Sequence, residues 1–211
     1  IMPRYGISLP DRQLAGVPYE TPEGKNYFAS MCAAANFAWA NRQAITAEVR
    51  EGFKKVLPPT LDSSLEVVYD VAHNIAKLEE YDGRKLLVHR KGATRSFGPG
   101  REEVNEAYRS VGQPVFIPGT MGTASYILVG TNEAEEKSWG STAHGAGREM
   151  SRSEAIRKYR GETVAKELEQ RGILVKAASW KGIAEENVPA YKDVDEVCRV
   201  SNEAKLGKLV A

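Results

Sequence analysis

Apolar residues recur at helical spacing from about Lys25 to Val56, at Phe28, Cys32, Ala35, Trp39, Ile45, Val49 and Phe53. That period predicts one long helix. The run Ala33-Ala34-Ala35 favours it, and Pro58-Pro59 stops it. Asn36 and Arg42 fall on or beside the apolar stripe, where a buried polar group needs a partner. Residues 1–24 are rich in Pro and Gly and have little period. Leu9-Pro10-Asp11-Arg12 and Thr21-Pro22-Glu23-Gly24 read as turns of an ordered surface arm.

Shorter patterns follow. Leu65 to Ala72 is rich in β-branched residues and predicts a strand that gives way at His73-Asn74. Ile75–Tyr81 and Leu86–Val88 face each other across Asp82-Gly83, a hairpin signal. His89 to Arg95 then reads as a basic loop. Arg101–Val111 predicts a short helix ending at Gly112, and Val115–Ile117 and Ala124–Val129 predict strands around a Pro118–Gly122 loop. Ser151-Arg152-Ser153-Glu154 matches a capping box, so a helix to about Arg171 is expected, with Ile156, Tyr159, Val164 and Leu168 inward and Gly172 closing it. Ile173–Val175 predicts a strand, and Asp193 caps a last charged helix to about Leu206. Helices and strands interleave without regular βαβ spacing, which predicts an α+β fold: an antiparallel-rich sheet flanked by helices.

Composition narrows the picture. The 211 residues can bury a real core. With 29 Lys+Arg against 28 Asp+Glu there is no global basic signature, so any nucleic-acid contact must be a local patch. Two distant cysteines, Cys32 and Cys198, fit a reducing, cytoplasmic setting better than a disulfide framework. No apolar run has membrane-spanning length, and Ile1-Met2-Pro3-Arg4 opens no signal peptide. The first residue is not methionine and the end is abrupt, so a fragment is expected.

The chemistry concentrates in Gly140-Ser141-Thr142-Ala143-His144-Gly145-Ala146-Gly147-Arg148, which holds one of only three histidines. Small residues leave the imidazole and the backbone open to a bulky ligand. Glycines let successive N–H groups face an anion, and Arg148 offers a planar fork to phosphate oxygens. The residues alone leave two readings open, a phosphate site or a tight turn with a capping histidine. Arg90 and Arg95 belong to the local patch of cations after the hairpin, a pattern that is usually just solvated. One histidine is no metal site, so hydrogen bonding within the fold is the ordinary role for His73.

Taken together the motifs are more specific. Ala33 to Gln43, Val71-Ala72-His73-Asn74, His89-Arg90-Lys91-Gly92-Ala93-Thr94-Arg95, Pro118-Gly119-Thr120-Met121-Gly122-Thr123-Ala124-Ser125-Tyr126 and Ser141 to Arg148 stand in the order seen in RtcB RNA ligases. The whole chain resembles the C-terminal part of one RtcB-like catalytic domain, of archaeal type. The resemblance implies joining of RNA 2′,3′-cyclic phosphate or 3′-phosphate ends to 5′-hydroxyl ends, as in tRNA splicing and RNA repair. It implies GTP and Mn²⁺ as cofactors and tRNA halves as substrates, and leaves open whether an archease activator is needed. It also implies that His144 carries GMP as a phosphoramidate, that His73 binds manganese, and that Asn74 lies beside the nucleotide. Pro118, Gly119, Thr120, Met121 and Ser125 match guanine-nucleotide contacts. Gly145, Ala146 and Gly147 would donate backbone N–H groups to the phosphate, and Arg90, Arg95 and Arg148 would meet RNA phosphate or GTP.

The departures shape the expectation. Family members are longer, and their upstream part supplies an aspartate, a cysteine and two histidines to the metal, with a glycine-rich Asn-His nucleotide motif. That N-terminal metal-ligand half is absent from this sequence, as is the tail lysine that contacts guanine. The isolated chain is therefore expected to be inactive or nearly so. The competing expectations are a non-catalytic RNA- or nucleotide-binding module and a phosphohistidine phosphotransfer domain.

Overall fold

The structure is a computed structural model that describes residues 1–11 and 14–211. The expected turn at Leu9-Pro10-Asp11-Arg12 runs into Arg12, outside the described residues. The chain divides into two compact units. One comprises Ile1–Val67 and Ile75–Leu87, the other Val68–Asn74 and Val88–Ala211.

The first unit is built on α1 (Pro22–Val56). The Thr21-Pro22-Glu23-Gly24 segment, expected as a turn of the surface arm, is instead the start of this helix. The Thr21 side chain accepts from Gly24 N at 3.1 Å, and proline at the first position loses no helical hydrogen bond. The Pro/Gly-rich arm is tied to this start, with Arg4 paired to Glu23 and Tyr5 Oη donating to Glu23 at 2.6 Å. The apolar stripe divides. Phe28, Cys32, Ala35 and Trp39 are half-buried, but Ile45, Val49 and Phe53 are exposed. The covered half meets the hairpin: Ala76 N donates to the Met31 sulfur, and the Lys77 ammonium lies over the Trp39 ring. A helical period fixes which residues share a face, not whether anything packs on it.

Asp82 and Gly83 take left-handed angles, as a two-residue hairpin turn requires, and join β1 (Asn74–Tyr81) to β2 (Arg84–Lys91). Two expectations fail on either side of this hairpin. Leu65–Ala72 forms no strand among the described residues, and Leu65 stands at a positive φ. High β propensity makes a strand only where an edge is available. His89–Arg95 is not a loop: it runs through the end of β2, a bend at Gly92 and β3 (Ala93–Arg95).

The second unit is α+β with antiparallel pairing in its sheets. β4 (Pro114–Ile117) and β5 (Tyr126–Val129) pair in the register Val115↔Leu128. α2 (Asn132–Ser138), capped by Thr131, has no counterpart in the sequence reading. β6 (Ser141–Ala143) pairs with β3 in the register Thr94↔Thr142. The expected Arg101–Val111 helix shrinks to a single 3-10 turn at Glu106–Tyr108.

The capping box works as expected, with Ser151 Oγ accepting from Glu154 N at 3.2 Å, but the helix it starts is broken. α3 (Arg152–Lys158) and α4 (Gly161–Gln170) are separate. A side chain at Gly161 would come within 2.0 Å of the Trp180 carbonyl, so the chain turns there to let two backbones touch. Gly172 ends α4 in the left-handed conformation, and Ile173 N donates to Leu168 O. Ile173–Val175 forms no strand among the described residues, another strand expectation not met. α5 (Trp180–Glu185) follows, then α6 (Val194–Glu203), capped by the Asp193 carboxylate, and β7 (Lys208–Leu209), which adds to β5.

One core joins Val115, Ile117, Leu128, Ala146, Val194 and Cys198, uniting the β4–β5 sheet, α6 and the segment after His144. A second joins Val164, Leu168 and Ile183, with Met121 and Tyr159 packed against it. No helix of the described residues is long and apolar enough to cross a membrane.

Candidate active site

His144 directly follows β6, so its backbone is fixed by the pairing of Ala143 with Ala93. The same partner strand fixes His73. Gly92 N, just before β3, donates to His73 O at 3.0 Å, and Thr94 Oγ1 donates to Ala72 O at 3.3 Å. One short strand therefore holds both histidine-bearing segments, 71 residues apart in the chain. The two imidazoles stack with ring centroids 3.6 Å apart and planes 6° from parallel.

The stack sets the electrostatics. His144 is half-buried and His73 exposed. Burial first, and then the charge His73 would carry, hold the His144 imidazole below the usual histidine range. A neutral ring with a free lone pair is favoured at neutral pH, as a nucleophile requires.

His144 lines a cavity of about 720 Å³, within the roughly 300–1,000 Å³ of small-molecule sites. Its walls bring together Pro118, Gly119, Thr120 and Met121, then His144, Gly145, Ala146, Gly147 and Arg148. Ala146 is buried in the first core and anchors the turn. The backbone N–H groups of Gly145, Ala146 and Gly147 donate no hydrogen bond among the described residues. They are available to an anion. The facing loop is held by its own side chains, as Gly119 N donates to Ser125 Oγ at 3.1 Å and Thr120 N to Thr123 Oγ1 at 2.7 Å. Ser125 and Asn74 are exposed and do not line the cavity.

The arginines behave differently from expectation. Arg90 is 3% exposed; its Nε donates to Ser141 Oγ at 2.9 Å and its Nη2 to Trp139 O at 2.8 Å. It braces the turn before His144 and presents no fork to solvent. Arg95 donates to Gln113 Oε1 and Glu103 O and lies over the Phe97 ring. Only Arg148 lines the cavity, and it too is engaged, with Nη1 donating to Tyr191 Oη at 2.8 Å and Nη2 to Glu185 O at 2.7 Å.

Sequence reasoning missed Tyr191 and Glu186, which complete this wall. Tyr191 donates to Glu186 and carries the Arg148 guanidinium 4.7 Å above its ring. Burial and the Glu186 carboxylate raise its phenol above the usual range. Neither residue lies near His144 in sequence, and no motif marks them. Their one local sign is the antiparallel contact of Arg148 with Tyr191, which only the fold creates.

Metal donors are sparse. Among the described residues no three His, Cys, Asp or Glu side chains are placed to hold an ion. The stacked rings also keep their in-plane lone pairs in two nearly parallel planes rather than in planes that cross at one ion. The residues present do not fit a manganese site by themselves.

The family model described as tRNA-splicing ligase RtcB matches residues 1–211. The chain belongs to the RtcB family. It is 58% identical over 213 residues to a tRNA-splicing ligase RtcB of Archaeoglobus fulgidus, covering 99% of this chain and 44% of that protein. A relative of the same name from Pyrococcus furiosus is 56% identical over 214 residues, covering 99% and 22%. The one from Nanoarchaeum equitans is 53% identical over 213 residues, covering 99% and 45%. The chain thus spans less than half the length of these RtcB proteins. The stacked histidines and the 720 Å³ cavity lie inside the matched region.

Proposed function

We propose that this chain is the nucleophile-bearing part of a GTP-dependent RNA ligase that joins 2′,3′-cyclic phosphate or 3′-phosphate ends to 5′-hydroxyl ends. The observation that carries the reading is His144, whose imidazole burial holds below the usual histidine range, in the wall of a nucleotide-sized cavity beside backbone N–H groups that donate no hydrogen bond among the described residues. Membership of a family described as tRNA-splicing ligases supports it.

On this reading the His144 ring nitrogen attacks the α-phosphorus of GTP. A P–N bond forms, the bond to the bridging oxygen breaks, and pyrophosphate leaves. The ring proton is lost as the phosphoramidate settles. An RNA 3′-phosphate oxygen then displaces the histidine and takes the GMP. The 5′-hydroxyl attacks the activated 3′-phosphorus, GMP departs and the phosphodiester closes; a cyclic phosphate is first opened by water. The chain's own residues do identifiable work in this scheme. β3 aligns His144, the Gly145–Gly147 turn receives phosphate oxygens, and Arg148 stands in the same wall as a cation. Manganese would add charge neutralisation with His73 among its donors. Among the described residues the donors are too few to hold the ion.

The test is end-joining by the full-length protein, using one RNA with a 3′-phosphate and one with a 5′-hydroxyl. Joined product that requires GTP and disappears in His144→Ala supports the proposal. Joining that persists in His144→Ala overturns it. A non-catalytic RNA-binding module would need free cations in the patch after the hairpin, and the Arg90 and Arg95 guanidinium groups are both engaged within the fold.

A further inference from the structure

The α3–α4 break opens a second cavity, of about 530 Å³, apart from the one that holds His144. Its rim carries Lys158, Arg160 and Arg171 against one carboxylate, Glu167, and its floor includes Val164 and Leu168 of the second core. Neither Lys158 nor Arg160 forms an ion pair among the described residues.

Stability does not explain this arrangement. Arg160 stands where a helix start favours Ser, Thr, Asp or Asn, and its side chain makes no capping bond. A cation there also opposes the positive end of the helix dipole. Lys158 two residues earlier adds like charge. An anion lying in the groove would relieve both costs.

The third cation connects the groove to the candidate active site. Arg171 Nη2 donates to Gly122 O at 2.7 Å, and Gly122 follows Met121, which lines the His144 cavity and packs on the floor of this groove. The two cavities share a wall. A strand whose phosphates lay along Lys158, Arg160 and Arg171 would run towards the loop facing His144.

We propose that this groove binds the phosphodiester backbone of single-stranded RNA, leading one broken end towards His144. The orientation rests on the ligase reading above; the groove's affinity for RNA does not. Arginine and lysine without a carboxylate partner suit a chain of phosphates, and one carboxylate is too few to recruit a basic partner.

The experiment measures binding of a fluorescent oligouridylate, blocked at both ends, to the full-length protein by anisotropy across a salt series. Lys158→Ala/Arg160→Ala is expected to bind roughly tenfold more weakly. Its salt slope should be shallower by about 1.4, at ~0.7 per single-strand phosphate contact. Lys158→Arg/Arg160→Lys should restore most of the loss. Arg157→Ala, next to Lys158 but outside the groove lining, should leave binding unchanged. An unchanged oligouridylate affinity in the double alanine variant, with the protein folded by thermal unfolding, overturns the proposal. So does an affinity loss equal to that of Arg157→Ala, or a groove that binds polyglutamate but not RNA. Transfer of label from α-labelled GTP to His144, measured on the same preparations, separates the two claims. Label without groove-dependent RNA binding sinks only the groove, and groove-dependent binding without label sinks only the ligase reading.

Discussion

The imidazoles of His73 and His144 lie face to face at 3.6 Å, each held in place by one three-residue strand. Two protonated rings cannot share that geometry cheaply, so the stack keeps at least one neutral. Burial first, and then the neighbouring His73 ring, oppose protonation of His144.

The pH dependence has a definite sign. His144 titrates lower in the fold than in an unfolded chain, so unfolded molecules take up the proton first as pH falls. The stability contribution is complete above the ordinary histidine value, about 6.5. It is lost as pH falls through the folded one. Urea midpoints measured from pH 8 down to pH 5 should decline on the acid side, and His144→Ala should flatten that decline. In His73→Gln the decline should persist but be smaller and end at slightly higher pH, because burial, the larger cause, remains. An acid limb unchanged by His144→Ala would contradict this assignment.

Arg90 is a brace. Its removal leaves the Trp139 carbonyl without its guanidinium donor and empties a buried space beside Ser141. Arg90→Ala should cost about 2–4 kcal/mol in urea denaturation. Arg90→Lys should recover only part, since one ammonium cannot reproduce the planar fork. If Arg90 instead served RNA from the surface, its loss would leave stability within about 0.5 kcal/mol of the parent.

Gly119 has no room for a side chain. A Cβ would fall 2.0 Å from the Ala124 carbonyl oxygen, a backbone atom that cannot swing aside. Gly119→Ala should displace the loop facing His144 and weaken nucleotide binding at least several-fold, by direct titration with GTP. Gly145→Ala is the control. Its Cβ would meet Pro118 at 3.6 Å, ordinary contact, and should disturb the fold far less.

What the sequence reveals depends on how local the cause is. The Ser151 and Asp193 caps, the Asp82-Gly83 turn and the strands about Pro118–Gly122 act over a few residues, and each stands where its pattern predicts. Features with tertiary causes are not legible. The α3–α4 break depends on Gly161 touching Trp180, and Leu65–Ala72 is no strand despite residues that favour one. The candidate site follows the same division. His144, its glycine-rich turn and the Pro118–Met121 loop can be named from motifs, and the fold gathers them around one cavity. Arg90 could be read as a surface cation because charge in a sequence says nothing about burial. Tyr191 and Glu186 could not be read at all, because only folding places them opposite Arg148.

The central claim is that His144 becomes covalently attached to GMP. The most direct measurement is to incubate full-length protein with GTP radiolabelled at the α-phosphate and manganese, digest it, and map the label. The account predicts an acid-labile, alkali-stable label on the peptide containing His144, absent from His144→Ala and absent when the γ-phosphate is labelled instead. Label on another residue, or α-label retained in His144→Ala, would contradict it.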